Sequence, residues 1–589
     1  MAAAPTLPDD PLPAAFGRYR HGDAAGALAA LEADRDAWRE RPDGWVLLGV
    51  LHRGAGRLPE AEAAYREALR LKPDYGDAWH NLGNLYAAAG LHEAAVAAYE
   101  AGLRTGSASA GPAALAVALS AAAFAAGDAE KALAAARAAV AADPASGAAL
   151  NQLGKMLWEL GDAEAARAAF AEAVARAPGE TLFAVNRLLV SQFSPAMTEE
   201  GLSALARAAA ARVLAGVPAG LRREIPRAPV AGRRIRVAYL SSDFRQSAPG
   251  VFIETLLAGH DRQRFEVWAL SNSPAADERT AAMRGHADRW LDVWPLHDAA
   301  LTERIRGDGI DILVDLNGYT GGHRLGVLAA RAAPVQITWL GYEGTTQVPG
   351  VDAILADRHV APPGNAGCYS ERILRLPFDF CCYAPHPAAP SVAPAPAVAR
   401  GHVTFGSFNK LAKITEPTLD LWARVLAAVP GSRLLLKWRF ASSPSARNRI
   451  LEGFARRGIA AARIELREAS PYLALLAEYA DLDVALDPLP FSGGATTCDA
   501  LWMGVPVVTL RGRRFASNHT VGHLTAAGLP ELVAETEDEY VGTCARLAAD
   551  PPALGRLRAG LRDQVAASPL AAPRLFAMAV ERHYLDLLD

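Results

Sequence analysis

Two patterns of apolar and polar residues divide the chain of 589 residues. In the first third, alanine and leucine recur at the spacing of amphipathic helices, with a glycine between successive helical segments. From about residue 234 onward, short β-branched and apolar runs alternate with stretches long enough for helices, a pattern typical of a parallel α/β sheet. The chain therefore predicts a helical region followed by an α/β region.

The glycines of the helical region recur with a period near 34 residues. They are Gly22, Gly56, Gly90, Gly127 and Gly161, at successive spacings of 34, 34, 37 and 34 residues. Other positions recur 34 residues apart, namely Trp45 and Trp79, Leu48 and Leu82, Gly49 and Gly83, and Ala61 and Ala95. This pattern resembles the tetratricopeptide repeat more than a generic alanine-rich bundle, and such helix pairs stack into a superhelix with a groove suited to an extended polypeptide. We assign residues 1–189 to a tetratricopeptide repeat domain that binds a protein or peptide.

The α/β region divides into two lobes at a proline-rich segment. Runs such as IRVAYLSSDF and DILVDLNGYT precede the segment HPAAPSVAPAPAVAR, and runs such as HVTFGSF, RLLLKW and LDVALDPL follow it. We predict Rossmann-like lobes at residues 233–392 and 393–589, with the Gly-, Pro- and Arg-rich residues 190–232 as a linker from the repeats. Residues 573–588 form an amphipathic helix that we predict to cross back onto the first lobe.

Composition narrows the classes of function. Lys and Arg total 60 against 64 Asp and Glu, a net charge of −4, which offers no broad attraction for nucleic acid or an anionic membrane. The five cysteines lack CxxC spacing, which argues against a disulfide framework or a structural zinc site and favours a reducing cytoplasm. From the sequence we predict no signal peptide and no membrane span, because no stretch of about 18 apolar residues is present.

One glycine-rich loop is the strongest candidate site. Two facing doubly wound lobes bind ligands at the carboxyl ends of their strands, and DPLPFSGGATTCDALWMGVPVV, residues 487–508, lies at such a strand end. Gly493 and Gly494 permit close backbone approach, and a helix predicted to begin near residue 495 places Thr496 and Thr497 at its positive end. This arrangement favours a diphosphate. Asp499, one turn later, would accept hydrogen bonds from a ribose or fix the loop.

Lysine usage points to a second element of the same site. Only six of the 60 basic residues are lysines, and Lys410, Lys413 and Lys437 lie close together in the predicted second lobe. A chain that uses arginine elsewhere retains lysine where a compact ammonium fits and a planar guanidinium does not. Lys413 lies between a strand end and a helix start, where it would contact a leaving diphosphate.

Longer segments resemble the protein O-linked N-acetylglucosamine transferases, and most of all their SPINDLY branch. The segments are VTFGSFNKLAKITEPTLDLWARVLAAVPGSRLLLK, ALDPLPFSGGATTCDALWMGVPVVTL, VAYLSSDF, DILVDLNGYT and RAAPVQITWLGYEGTTQVPGVDAILAD. The resemblance extends from about residue 234 to the end, with a repeat array ahead of it as in the family. It implies a GT-B fold and an inverting transfer of a sugar from a nucleotide sugar to a Ser or Thr hydroxyl, with no required metal and no other cofactor.

The resemblance also implies roles for single residues. Lys413 matches the family's phosphate-contacting lysine, Thr496 its phosphate-binding threonine, and Asp499 its ribose-side acid. Asn409 and Lys410 lie where the family lines its donor pocket.

A histidine that the family usually places after the first strand is missing, and Ser247 stands in that position. Asp243, near the same strand end, and His323, in NGYTGGHRLG, are the candidate general bases. The alternative is transfer without a side-chain base, with the proton passing late to water or to the departing phosphate. His519 and His523 have a spacing that can bind metal, but they lack a third ligand, so we predict no metal site.

Together these observations predict a cytoplasmic protein O-glycosyltransferase whose repeats hold a protein acceptor, with no nucleic acid or membrane partner. The transferred sugar is N-acetylglucosamine, fucose or another sugar. Two alternatives stay open. One is a bacterial flagellin glycosyltransferase with a nonulosonic acid donor, and the other is a repeat scaffold that binds nucleotide but has lost transfer together with the histidine.

Overall fold

The computed structural model describes residues 11–106 and 108–589. The chain forms two compact units. The first unit contains the residues up to Leu157 together with Ala168–Ala177, and the second contains Trp158–Arg167 together with Pro178–Asp589.

The first unit consists of consecutive helices joined by tight turns, as the 34-residue period predicts. The helices of the array are α1 Pro11–Arg20, α2 Ala24–Ala33, α3 Pro42–Gly54, α4 Leu58–Leu71, α5 Gly76–Ala88, α6 His92–Thr105, α7 Gly111–Ala125, α8 Ala129–Ala142, α9 Gly147–Glu159 and α10 Ala163–Arg176. The last two carry residues of both units. The five periodic glycines all adopt positive φ, between 74° and 91°, at the turn inside a helix pair. A Cβ on Gly49 or Gly83 would lie 2.4 or 2.5 Å from a tyrosine ring, which explains why these positions are small.

The second unit begins with two helices, α11 Thr181–Ser191 and α12 Glu199–Ala215. The structure therefore differs from the predicted linker at residues 190–232, because α12 lies within it and packs against the first lobe. Ser203 Oγ donates a hydrogen bond to the Cys368 carbonyl at 2.6 Å, and Tyr319 donates to the Ala206 carbonyl at 3.1 Å. The alanine-rich sequence of α12 can bury one helix face, whereas the Gly-, Pro- and Arg-rich composition that suggested a linker begins only after it.

The first lobe is a seven-stranded parallel sheet. Its strands are β1 Ile235–Ser241, β2 Phe265–Ser271, β3 Arg289–Asp292, β4 Ile312–Asp315, β5 Val335–Thr338, β6 Ala353–Ala356 and β7 Arg372–Arg375, in the order β3-β2-β1-β4-β5-β6-β7. The helices that follow its strands include α13 Gly250–Gly259, α14 Glu278–Gly285, α15 Asp298–Gly307 and α16 Leu325–Ala329. The strand order reverses between β1 and β4, and such a switch point opens a crevice at the carboxyl ends of the strands.

The second lobe repeats this design with a six-stranded parallel sheet. Its strands are β8 Thr404–Ser407, β9 Arg433–Trp438, β10 Ile464–Glu468, β11 Val484–Leu486, β12 Val507–Leu510 and β13 Val533–Ala534, in the order β10-β9-β8-β11-β12-β13. Its helices are α17 Pro396–Arg400, α18 Glu416–Ala428, α19 Pro444–Ala455, α20 Tyr472–Glu478, α21 Ala495–Trp502, α22 His519–Ala526, α23 Glu537–Ala549, α24 Pro551–Ala566 and α25 Pro573–Leu588. The prediction of helical repeats followed by two α/β lobes is confirmed.

The terminal helix α25 packs against α13 of the first lobe. Glu581 Oε1 lies 2.9 Å from His260 Nδ1, and the hydroxyl of Tyr584 lies 3.0 Å from that of Tyr239. All four residues are buried. A Cβ on Gly259, the last residue of α13, would lie 2.3 Å from the Pro573 carbonyl oxygen, so the two helices approach as closely as a glycine allows.

We expect Gly259→Ala to lower the free energy of unfolding by about 1–3 kcal/mol, because the added methyl would overlap backbone that cannot rotate away. Gly285→Ala is the matched control. Gly285 also ends a helix of the first lobe, so the gain in helix propensity is common to both variants. A Cβ on Gly285, however, would meet no atom of the described residues within 4 Å. Urea unfolding followed by circular dichroism measures the difference. Equal midpoints for the two variants would contradict the close packing of α13 and α25.

Two further features concern the cysteines and the possibility of a membrane-spanning helix. All five cysteines are buried and unpaired. Within the described residues, no helix combines the length and the apolar character needed to cross a membrane.

Candidate active site

A cavity of about 260 Å³ lies where the carboxyl ends of the two sheets meet. The first lobe contributes residues that follow β1, β5 and β7, and the second lobe contributes residues that follow β8, β11 and β12. Phe193 comes from the segment between α11 and α12. The lining residues are Phe193, Ala248, Pro249, Phe252, Leu340, Gly341, Glu343, Phe380, Cys381, Phe408, Asn409, Lys410, Lys413, Phe491, Gly494, Ala495, Thr496, His519 and His523. Five residues from the predicted donor site, Asn409, Lys410, Lys413, Gly494 and Thr496, are thus brought together.

Lys413 is held in place from several sides. It ends the short turn between β8 and α18, and Thr415 caps α18 while its hydroxyl donates to the Leu489 carbonyl at 2.6 Å. Lys413 Nζ donates to the Ser492 carbonyl at 2.6 Å and lies 4.2 Å from the centre of the Phe491 ring. These contacts fix the ammonium at the wall of the cavity.

The N-terminus of α21 forms the adjacent wall. Gly494, Ala495 and Thr496 all line the cavity, and no side chain within the described part of the chain caps the helix. The first backbone N–H groups of a helix lack intrahelical partners, and its N-terminal end carries partial positive charge, so this wall favours an anion. Thr496 Oγ1 donates to Asn409 Oδ1 at 3.1 Å, which ties the helix to the loop after β8.

The electrostatics of the cavity favour an anionic ligand. Burial lowers the pKa of Lys413 to about 8, although the carboxylates of Asp487 and Glu343 oppose this shift. An anion at the Lys413 ammonium would relieve the cost of burying this charge. Lys410 is exposed and adds a second positive charge at the rim.

Three other residues that the sequence predicts to bind the sugar donor are not among the lining residues of the cavity. Gly493 donates its N–H to Asp487 Oδ1 at 2.6 Å, and Thr497 Oγ1 lies 2.8 Å from Thr520 Oγ1. Asp499 Oδ1 accepts hydrogen bonds from the hydroxyls of Tyr383 and Tyr472, at 2.7 and 2.8 Å. Burial raises the pKa of Asp499 to about 6. These residues brace the wall, and a ribose contact by Asp499 stays a prediction.

The two candidate bases lie elsewhere at the strand ends, and neither lines this cavity. Asp243 Oδ2 accepts from Asn317 Nδ2 at 3.2 Å. His323 follows β4, and burial lowers its pKa. The Ser247 hydroxyl accepts a hydrogen bond from the backbone N–H of Gly250 at 3.1 Å, at the start of α13. Catalytic roles for Asp243 and His323 stay predictions.

Several lining residues were missed by the sequence analysis. Glu343 lies in the loop GYEGTT after β5, and burial raises its pKa to about 7. Its position after a predicted strand was the available signal. Phe193, Phe252, Phe380 and Phe491 form apolar parts of the wall, and nothing in their local sequence points to a cavity.

The histidines of α22 have different partners. His523 Nδ1 lies 2.6 Å from Asp379 Oδ2, and this carboxylate raises the pKa of His523. His519 Nε2 has no hydrogen-bond partner among the residues that the structure describes, and burial lowers the pKa of His519 well below its usual range. Among the residues that the structure describes, no group of three or more His, Cys, Asp or Glu side chains is placed to hold a metal ion.

Comparison with known proteins follows this division of the chain. The pattern of glycosyl transferase family 41 matches residues 223–384 and 396–580. Tetratricopeptide repeat patterns match residues 51–90, 76–105 and 117–181.

Among curated relatives, the chain is 40% identical over 363 residues to "Probable UDP-N-acetylglucosamine--peptide N-acetylglucosaminyltransferase SPINDLY" of Arabidopsis thaliana. This match covers 60% of the chain and 39% of the relative. The similarly named SEC protein of the same plant is 28% identical over 366 residues, covering 60% of the chain and 37% of the relative. The chain thus spans about two fifths of the length of these relatives.

A solved structure matches much more of the chain. A mutant of the Thermobaculum terrenum O-GlcNAc transferase is 34% identical, with a TM-score of 0.77, over 93% of this chain and 97% of that chain. Because the family pattern covers more than half of the sequence and this structure matches nearly all of it, the chain belongs to glycosyl transferase family 41.

Proposed function

We propose that this chain is an inverting protein O-glycosyltransferase that moves a sugar from a nucleoside diphosphate to a Ser or Thr hydroxyl. The observation that carries the proposal is the wall of the cavity formed by Lys413 and the N-terminus of α21. Both elements favour the same ligand, a group with concentrated negative charge. A diphosphate leaving group has this property, and the relatives are named as transferases that use such a donor.

The chain's own groups account for departure of the leaving group. As the acceptor oxygen bonds to the anomeric carbon from one face, the bond from that carbon to the phosphate oxygen breaks on the other face. Negative charge then develops on the diphosphate, next to the Lys413 ammonium and the first turn of α21. Preorganised positive groups at the site where charge develops are worth several kcal/mol in an enclosed cavity.

The repeat helices would supply the protein acceptor. Tetratricopeptide helix pairs offer an extended surface, and binding one segment of an acceptor there raises its local concentration near a site that modifies another segment. This role of the first unit is part of the proposal.

A donor panel tests the function. We expect sugar transfer to a Ser- or Thr-containing protein from UDP-N-acetylglucosamine or GDP-fucose, detected by intact-mass spectrometry as the mass of one sugar residue. The activity should persist in EDTA, because Lys413 and α21 would hold the diphosphate without a metal. A CMP-linked nonulosonic acid belongs in the panel, and transfer from it alone would favour the flagellin-type alternative. Nucleotide binding by calorimetry without transfer from any donor would favour the scaffold alternative.

A further inference from the structure

Among the described residues that line the cavity, Glu343 carries the only carboxylate. It belongs to the first lobe, in the loop between β5 and β6, whereas Lys413 and the N-terminus of α21 belong to the second lobe. A reacting sugar between the lobes would therefore have the cationic wall on one lobe and Glu343 on the other. Transfer is promoted by a group that stabilises the leaving phosphate and by a positioned second group that receives the proton of the incoming hydroxyl.

The backbone that carries Glu343 is tightly held on its N-terminal side. The backbone of Leu340 has a φ of +78°, a value that residues other than glycine rarely adopt. A Cβ on Gly341 would lie 2.3 Å from the Leu316 carbonyl, so the turn runs directly against the end of β4. Gln192 Nε2 donates to the Glu343 carbonyl at 2.9 Å. Strain of this kind persists where the surrounding structure enforces it, often at functional sites.

The residues around and after Glu343 are also held firmly. The Tyr342 ring packs edge-on against Tyr319, with 5.2 Å between ring centres. The Thr346 N–H and hydroxyl both donate to Glu371 Oε1, at 2.7 and 2.6 Å. The loop therefore presents the Glu343 side chain from a fixed backbone, and such positioning avoids the cost of ordering a base during the reaction.

The charges around Glu343 suit a base that works near neutral pH. Burial raises the pKa of Glu343 to about 7, while Lys413 and Lys410 act in the opposite direction. Among the described residues, the other titratable groups that line the cavity are Cys381, His519 and His523. Burial raises the pKa of the Cys381 thiol well above its usual range and lowers the pKa of His519, and His523 is engaged by Asp379. A general base is most effective when its pKa lies near the operating pH.

We propose that Glu343 is the catalytic base of this chain and receives the proton of the acceptor hydroxyl during sugar transfer. The inference rests on the proposed glycosyltransferase function. The acceptor O–H proton moves to a Glu343 carboxylate oxygen while the acceptor oxygen bonds to the anomeric carbon. The bond from that carbon to the phosphate oxygen breaks with its electron pair, and the diphosphate leaves. Glu343 is then neutral and returns its proton to water before the next cycle.

The test compares Glu343→Gln with the wild type under steady-state conditions. We expect kcat to fall about a hundredfold with the KM values for donor and acceptor within a few-fold, because the amide keeps the shape but cannot accept the proton. Wild-type kcat/KM should fall below about pH 7, as the carboxylate becomes protonated, and this acid limb should vanish in Glu343→Gln. Glu278→Gln, at an exposed position on the same lobe, is the matched control.

Two further variants separate a base from a merely structural side chain. Glu343→Asp should keep the acid limb at reduced kcat, and Glu343→Ala should regain part of its rate when formate is added as an external base. The proposal is overturned if Glu343→Gln keeps wild-type kcat, or if it loses activity while the acid limb stays unchanged and formate has no effect on Glu343→Ala. If Glu343→Gln does not fold, the aspartate variant and the formate experiment decide by the same criteria.

The design also distinguishes this inference from the proposed function. If the wild type transfers no sugar to any acceptor, the glycosyltransferase proposal fails and the base assignment falls with it. If the wild type is active while the Glu343 variants behave like Glu278→Gln, only the base assignment fails. Asp243→Asn and His323→Ala, measured in the same assay, then show whether one of the predicted residues is the base.

Discussion

Lys413→Met should lower kcat for sugar transfer by a hundred- to a thousandfold, the range seen when one preorganised charge partner of a transition state is removed. Methionine keeps an unbranched apolar side chain but removes the ammonium, which lies 4.2 Å from the centre of the Phe491 ring and 2.6 Å from the Ser492 carbonyl oxygen. Among the described residues that line the cavity, the other lysine is Lys410, which is exposed at the rim, where water screens its charge. Steady-state kinetics with a saturating donor measure the change.

The same variant should fold normally. Removing the ammonium leaves the Ser492 carbonyl without its donor, but it also removes a charge whose burial is unfavourable, as the lowered pKa of Lys413 indicates. Lys155→Met, at an exposed position of α9, controls for the loss of a lysine in general. Wild-type turnover in Lys413→Met, with an unchanged unfolding midpoint, would remove Lys413 from the mechanism.

Deleting residues 1–146 should reduce modification of a protein acceptor by about a hundredfold while nucleotide binding is retained. The cut falls before α9, because Trp158 of that helix contacts Phe193 of the cavity wall, with 5.5 Å between ring centres. The core formed by residues 12–85 lies wholly in the first unit, and the large core of the two lobes lies wholly in the second. The shortened chain should therefore remain folded. The loss reflects the effective concentration that a tethered acceptor provides.

A short Ser- or Thr-containing peptide is the control for this deletion. A peptide too short to occupy the cavity and the repeat helices at the same time should be modified at similar rates by the full chain and the shortened chain. Equal modification of the full protein acceptor by both chains would contradict a recruiting role for the repeats. Loss of activity toward the peptide as well would indicate that the deletion damages the catalytic unit.

Some features of this protein depend on residues that are close together in the chain, and these features could be predicted from the sequence alone. The 34-residue period identifies the repeats because each periodic glycine adopts positive φ at its own turn, and Gly49 and Gly83 each lie against a tyrosine ring of the next helix. The two parallel sheets follow from short apolar and β-branched runs that alternate with stretches long enough for helices. Parallel strands bring the loops that follow them to one edge of a sheet, and for this reason five residues of the predicted site line one cavity. They are Asn409, Lys410, Lys413, Gly494 and Thr496.

The structure of the segment between the repeats and the lobes was harder to predict. Residues 199–215 form α12, although the flanking composition suggested a linker over the whole of residues 190–232. Alanine-rich helices carry little information about what covers them. The partners of α12, among them Tyr319 and Cys368, lie more than a hundred residues away in the chain.

Patterns along the chain were enough to predict the repeats, the two lobes and the cationic wall of the cavity. Which loops of the first lobe reach that wall depends on packing between distant segments. Asp243, His323 and Glu343 all follow strands of the same sheet, and their local sequences do not rank them. The fold places Glu343 at the cavity, because the loop after β5 turns tightly against β4 and is held by Gln192, while Asp243 is engaged by Asn317. These contacts join residues from distant parts of the chain, so no local pattern of residues could have predicted them.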